Sequence, residues 1–440
     1  MTNRAGGWLA SLLAAALSAS APLAPAWATD WLPRHPVLGA ATIDGADGAK
    51  ITSIRPGSPA QAAGLAVDDI IMRMDAVEVR SAAQLVEAVR THLAGPAKIA
   101  VMRDGHPLEV TVTLASAPDE TDPVVKTVYG TVRVDGSLRR TLVTHPLAHA
   151  ARRPAVLIVG GIGCYSIDVA TDPEDAYLRL AHDLGRRGVV AMRLEKSGVG
   201  DSHGPPCATT DFDAEIRSYA AAFDALRQDP DVDPMRVYIF GHSIGSLIAP
   251  RLALSKPVAG VIVAEGVGRN WFEYELWSLR RQLVLEGDSP DHIDADLAEK
   301  ERCMHGLLIE RREEAELERT EPDCRVHDAY PVAAAYLQEV AALNVAEPWA
   351  KLNAPVLAVY GDGDFVTALA DHQRIVDIVN GAHVGHATLA VVPGMDHHLD
   401  RAGTPQQAYD LRVNHHQSGP YETMLSQVVG DWLCPRDRCG

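Results

Sequence analysis

The chain has 440 residues, 47% of them hydrophobic, and a formal net charge of −18 at pH 7. That length and apolar content supply cores for two or three domains and exclude a disordered or low-complexity chain. No lysine- or arginine-rich face offsets the acidity, which excludes nucleic acid and an anionic membrane surface as partners; the charge serves solubility.

At the N-terminus, Arg4, the apolar run GWLASLLAAALSA and the small-x-small triplet at Ala26–Ala28 stand in the order of a secretory signal peptide, residues 1–28, cut after Ala28. The run is short and alanine-rich for a membrane span, with a retained N-terminal anchor as the alternative, and no later segment reaches spanning length. The mature chain is therefore expected to be periplasmic or secreted, without a span. An oxidising destination makes the six cysteines candidates for disulfides. Proximity pairs Cys303 with Cys324 and Cys434 with Cys439, the latter in a tail at 434–440. That leaves Cys164 with Cys207, with a buried free thiol at Cys164 as the alternative.

Residues 36–116 read as a small β-rich unit. A strand ends at a Pro56-Gly57 turn, and a short helix follows with Ser58 as cap and Pro59 in its first turn. Alternation of Ile70, Met72 and Met74 predicts a strand, and the spacing of Leu85, Val89 and Leu93 behind Ser81 predicts a helix. A hairpin turns at Asp104-Gly105. This succession, with SPA, AGL and the Asp69 that follows in order, resembles a bacterial-type PDZ domain; Asp68 stands where that family usually has glycine. The resemblance implies a groove beside Leu38, Gly39 and Ala40 that takes a peptide C-terminus or a partner protein as an added strand.

A polar, proline-containing linker, residues 117–126, separates this unit from a different pattern. After a hairpin at Asp135-Gly136, short apolar runs (PAVLIVGG, GVVAMRLE, RVYIFGH, VAGVIVAEG, APVLAVYGD, ATLAVVPG) alternate with helical stretches. Continuous apolar strands between helices predict an α/β fold, a mostly parallel sheet covered on both faces. Residues 268–350 interrupt the alternation with a helical, charged segment, read as a cap inserted between two strands.

The third strand of that series ends in Gly241-His242-Ser243-Ile244-Gly245. Two glycines permit a sharp strand-to-helix turn that side chains would obstruct, leaving Ser243 at the strand tip. A serine needs a base and the base an orienting acid, and GDGD and PGMDHHLD follow the next strands as candidate loops. With these motifs, residues 127–433 resemble the α/β-hydrolase family. The resemblance implies Ser243 as nucleophile, Asp364 as acid and His397 as base. Asp362 and Glu265 are rival acids, and His398 is a rival base. It also implies oxyanion donors at the backbone N–H groups of Ile244 and Ile162, with Gly163 as the alternative to Ile162; Gly160-Gly161 replaces the usual histidine-glycine start of that loop.

Gly198, Gly200 and Ser202 resemble the family's structural turn, and Glu195 and Lys196 beside it read as a solvated ion pair, with contact to substrate as the alternative. Trp271, Phe272 and Trp277 either line an acyl pocket or pack in the core. Asp396, His397, His398, His415 and His416 invite a metal, but adjacent histidines point apart and no helical ligand spacing is present, so neither metal nor organic cofactor is expected. The sequence thus points to an exported serine hydrolase acting on a small-molecule ester. An aminopeptidase or acylaminoacyl-peptidase-like activity of the same fold, and a non-catalytic binding protein, are the alternatives.

Overall fold

Near-continuous runs of Val, Ile and Leu form the centre of the larger sheet because both of its faces are covered. The computed structural model describes residues 31–148, 152–324 and 330–434; the signal-peptide segment and Cys439 lie outside these. Eight strands build this sheet: β1 (Val125–Val134), β2 (Ser137–Pro146), β3 (Arg153–Val159), β4 (Val190–Leu194), β5 (Val232–His242), β6 (Gly260–Ala264), β7 (Val356–Gly361) and β8 (Ala387–Val392). Their order is β8-β7-β6-β5-β3-β4-β2-β1. All neighbours from β4 through β8 pair in parallel, while β1 and β2 form an antiparallel hairpin joined to β4.

Every residue of β3, β4, β6 and β7 is buried. Strand alternation sends Ala155, Leu157 and Val159 into one core and Val156 and Ile158 into the other, beneath helices on opposite faces. Each such buried aliphatic side chain contributes roughly 1.5–3 kcal/mol from removal of apolar surface from water. Because parallel strands all point the same way, their C-terminal ends share one rim, and the loops there meet.

Between β6 and β7 the chain leaves the sheet and forms helices Trp271–Glu286, Pro290–Met304, Glu314–Thr320, Ala334–Ala341 and Ala346–Lys351. The Cys303–Cys324 disulfide ties the second of these to the turn that follows the third. Asn270 caps the first helix through its side-chain oxygen, and Gly287, at φ +92°, ends it in the left-handed conformation.

The smaller sheet follows the order Pro36–Val37, His106–Ser116, Gly95–Arg103, Ile70–Met74, Gly48–Ile54, Ala40–Gly45, with Val77–Glu78 beside Ile70–Met74. Ser58 and Ser81 cap the helices Pro59–Ala62 and Ala82–Thr91 as expected. The strand and the helix predicted from apolar spacing both form, at Ile70–Met74 and Ala82–Thr91, but not every residue of either pattern is buried. Ile71 and Met74, not the alternating set Ile70, Met72 and Met74, enter the core, because a bulge between Ile71 and Arg73 shifts the pairing with the neighbouring strand. Leu93 is 84% exposed, since the helix stops at Thr91 before Leu93 can complete its apolar face. From Leu32 onward the chain is one compact unit that holds both sheets.

Candidate active site

At the C-terminal end of β5 the chain reverses into helix Gly245–Ser255 with Ser243 at φ +53°, a left-handed backbone that a non-glycine residue adopts only under constraint. Neither flanking glycine tolerates a side chain. A Cβ on Gly241 would lie 2.4 Å from the Gly245 carbonyl oxygen, and one on Gly245 would lie 2.6 Å from that of Val159. This packing presses the turn against β3 and leaves the Ser243 side chain projecting into a cavity of about 1000 Å³.

Two loops bring the partners. His397, after β8, places Nε2 3.1 Å from Ser243 Oγ and Nδ1 3.0 Å from Asp364 Oδ2. Asp364, after β7, is almost fully buried and accepts hydrogen bonds on Oδ1 from the backbone N–H groups of Val366 and Thr367. Burial alone would raise its pKa, but the adjacent His397 ring and the hydrogen bonds hold it well below the ordinary carboxylate range. Of the rivals, Asp362 is exposed and accepts from the Gly394 N–H, away from the histidine. His398 is exposed at the cavity wall, with its ring edge-on to that of His397.

Glu265, fully buried just after β6, has no hydrogen bond to His397 among the contacts described and lies behind Asp364. Its Oε1 accepts from the Gly361 N–H at 2.6 Å, and its Oε2 lies 3.4 Å from the Thr367 hydroxyl, which in turn hydrogen bonds to Asp364 Oδ2. Burial first, and then the charge of Asp364, push the Glu265 carboxyl well above its usual range. The Thr367 hydroxyl thus stands between the two carboxyl groups, within reach of Glu265 Oε2 and Asp364 Oδ2. Sequence order flagged Glu265 only as a rival acid; nothing in the sequence flagged Thr367.

The loop after β3 carries the other predicted groups. Ile162 and Gly163 line the cavity opposite Ser243, and Ile244 opens the helix behind it. Gly161 is held on both sides: its N–H donates to the Tyr177 hydroxyl (2.9 Å), and its carbonyl accepts from Tyr165 (3.1 Å) and Lys196 (2.8 Å). The Cys164–Cys207 disulfide closes the same loop onto the turn after β4, as expected, and excludes the free thiol at Cys164. Cys434 is also disulfide-bonded.

The solvated Glu195–Lys196 pair does not form. Lys196 pairs with Glu215 at 2.9 Å, and Glu195 is fully buried, accepting from Ser166 Oγ and the Asp168 N–H. Strand β4 ends beneath the oxyanion-type loop, which is why this carboxyl faces inward. Gly198 and Gly200 both have positive φ, at 65° and 53°, as a turn requires. Trp271, Tyr274 and Tyr330 form an aromatic wall of the cavity, while Asp172, Glu174, Asp175 and Asp400 line it with carboxylates. Phe272 packs on the core, and Trp277 is exposed with the Arg269 guanidinium 5.0 Å above its ring.

A parallel sheet with these three loops at one rim is the α/β-hydrolase architecture, preceded here by a PDZ-type sheet. Residues 170–401, just over half the chain, match the family described as serine aminopeptidase, S33, and the chain belongs to that family of serine hydrolases. Residues 36–114 match the PDZ domain. Over 110 residues the chain is 28% identical to Esterase EstD of Thermotoga maritima, covering 25% of this chain and 26% of that protein. The chain thus aligns with about a quarter of the length of that curated relative. Among solved structures it is similar to Est1E from Butyrivibrio proteoclasticus with ferulic acid bound, at 15% identity and a TM-score of 0.44, covering 69% of this chain and 97% of that one. It is also similar to a thermostable esterase from Pseudomonas putida, at 15% identity and a TM-score of 0.42, covering 73% and 85%.

Proposed function

We propose that the chain is an exported serine hydrolase that cleaves carboxylic esters through an acyl-enzyme on Ser243. The observation that carries this reading is the contact of His397 with both Ser243 Oγ (3.1 Å) and Asp364 (3.0 Å) at the floor of a large cavity. In the first half-reaction His397 Nε2 takes the Ser243 proton as Oγ attacks the ester carbonyl. The negative charge on the tetrahedral oxygen falls to the N–H groups of Ile244 and Ile162. His397 then returns the proton to the departing alkoxide, and the alcohol leaves. Water, deprotonated by the same imidazole, releases the acid and restores Ser243. Asp364 keeps the ring oriented and balances its transient charge. No cofactor takes part.

The aromatic wall of Trp271, Tyr274 and Tyr330 suits an apolar acyl or aryl group. A second reading, peptide cleavage from a free amino end, draws on Asp172, Glu174 and Asp175 at the same cavity, which would face an ammonium group. The proposal includes the division into a PDZ-like unit (36–116), a linker (117–126) and a hydrolase unit (127–433) with a cap at about 268–350. It also includes export with removal of residues 1–28, supported by the two disulfides.

Nitrophenyl esters of rising chain length, assayed beside aminoacyl and dipeptidyl arylamides, test the choice. Esterase activity predicts kcat/KM at least tenfold higher on an ester than on any arylamide, and loss on the order of 10⁴-fold or more in Ser243→Ala. Preference for the arylamides would transfer the assignment to the peptidase reading.

A further inference from the structure

The segment that follows the cavity wall from Ile162 to Tyr177 is held from outside by two arginines of the smaller sheet's unit. Arg34, just before the first strand of that sheet, forms partly buried salt bridges with Asp168 and Asp201 and lies 4.1 Å over the Tyr129 ring. Arg55, just after strand Gly48–Ile54, donates from Nη1 to the Thr171 hydroxyl at 2.9 Å. Thr171 immediately precedes Asp172, which lines the catalytic cavity together with Glu174 and Asp175, and nine residues before it stands Ile162. The two contacts therefore clamp one loop whose ends carry a proposed oxyanion donor and the cavity rim.

Arg55 belongs to a second place as well. Its backbone N–H donates to the Gly39 carbonyl at 3.0 Å, and its Nη2 lies 3.2 Å from where a Cβ on Gly39 would stand. Gly39 has φ +77°, and that same Cβ would sit 2.3 Å from Ser58 Cβ, so only glycine fits this turn. The strand that leaves the turn, Ala40–Gly45, is at the end of its sheet and pairs on one side only among the described residues. Asp44 accepts from the Ala82 N–H at 2.7 Å, so its face is turned to helix Ala82–Thr91; alternation puts Ala40 and Thr42, both small, on the same face. An edge strand with small side chains toward a helix, and a guanidinium at its start, fits an extended peptide ending in a free carboxylate.

We infer that Arg55 serves both sites, so that a peptide C-terminal carboxylate captured beside Gly39 draws Arg55 away from Thr171, loosens the cavity-rim loop and slows hydrolysis. Arg55 acts as a positioning residue for the loop, not as a catalytic one. The inference rests on the hydrolase reading above. Thermodynamic linkage makes it reciprocal: whatever factor the peptide imposes on binding at the catalytic cavity, occupancy of that cavity imposes on peptide affinity.

The test uses the full mature chain and two degenerate pools of decapeptides, one with free C-terminal carboxylates and one amidated. Nitrophenyl butyrate hydrolysis and anisotropy of the fluorescein-labelled pools are read together. The carboxylate pool is expected to bind and to lower kcat/KM on the order of fivefold, within the usual range of allosteric coupling, while the amidated pool does neither. Arg55→Ala should lower the unliganded rate and abolish the response to peptide. Thr171→Val should lower the unliganded rate to the same extent yet still bind the carboxylate pool, with no further change in rate, which separates the contact from folding damage. Binding without any change in rate, an equal response in Arg55→Ala, or failure of the carboxylate pool to bind would overturn the inference. A wild-type chain with no ester turnover at all would instead remove the hydrolase reading on which it stands.

Discussion

His242 is joined to His397 through the backbone: its Nε2 lies 2.7 Å from the His397 carbonyl oxygen. That bond requires a proton on Nε2, so Nδ1 is the acceptor for the Tyr177 hydroxyl 2.6 Å away. Burial first, and then the neighbouring His397 ring, push the His242 pKa down to about 3, so the ring stays neutral across the working range. Through Tyr177, which also holds the Gly161 N–H, one hydrogen-bonded chain links the base loop to the oxyanion-type loop.

His242→Ala should therefore impair geometry and not acid–base chemistry. We expect kcat to fall on the order of tenfold, KM to stay within about threefold, and the pH profile of kcat to keep its shape, because a misplaced base loses attack geometry without a change in ionisation. Steady-state kinetics from pH 5 to 9 read all three quantities. A profile displaced by half a unit or more would assign His242 a direct role in proton transfer.

Asp364 and Asp362 differ by two positions and by their whole environment. Asp364→Asn leaves a group that cannot balance the imidazolium and favours the wrong ring tautomer, and kcat is expected to drop on the order of 10⁴-fold. Asp362→Asn, at an exposed carboxylate that meets only the Gly394 N–H among the contacts described, should stay within about threefold. Parallel assays of the two variants decide between them.

The Cys164–Cys207 disulfide spans 43 residues and has Cys164 on the cavity wall, whereas Cys303–Cys324 spans 21 residues inside the cap segment. In the chain-entropy view, loops of these sizes are each stabilised by roughly 3–4 kcal/mol. Replacing Cys164 and Cys207 together by serine should lower both Tm and kcat/KM on short esters, by loosening the loop that carries Ile162. The same change at Cys303 and Cys324 should lower Tm while leaving short-ester turnover within about threefold. Differential scanning calorimetry beside the ester assay would expose the opposite pattern.

Glu195 makes the stability of the fold depend on pH. Burial first, opposed by the hydrogen bond from Ser166 and reinforced by Asp168, raises its pKa to about 7. A raised folded-state value means the carboxyl contributes its full stability below the ordinary pKa near 4.5, and that contribution is lost as the pH climbs through about 7. Glu195→Gln, an uncharged mimic of the protonated form, should flatten this decline: its Tm relative to wild type should rise between pH 5 and pH 8. A Tm difference that does not change with pH would contradict the assignment.

Strand runs, the GHSIG turn and the two loops that follow the later strands were legible because each depends on local demands: continuous burial, positive φ, or a loop at a strand end. The face of strand Ile70–Met74 was not, because the bulge that resets it arises from pairing with Gly95–Arg103 across the sheet. Glu195 misled for a related reason. As a charged residue next to a lysine it looks solvated, and only the loop folded over β4 shows that it is buried.

By itself the sequence determined which residues can supply a nucleophile, a base and an acid, since those are properties of side-chain chemistry and of backbone turns a few residues long. Tertiary structure alone decided that Asp364 and not Asp362 meets His397, that Glu265 stands behind Asp364, and that Arg55 reaches from one sheet's turn to the other's cavity rim. These are contacts across 33, 102 and 116 residues of chain, and their partners are chosen by the packing of layers against one another, which no local pattern encodes.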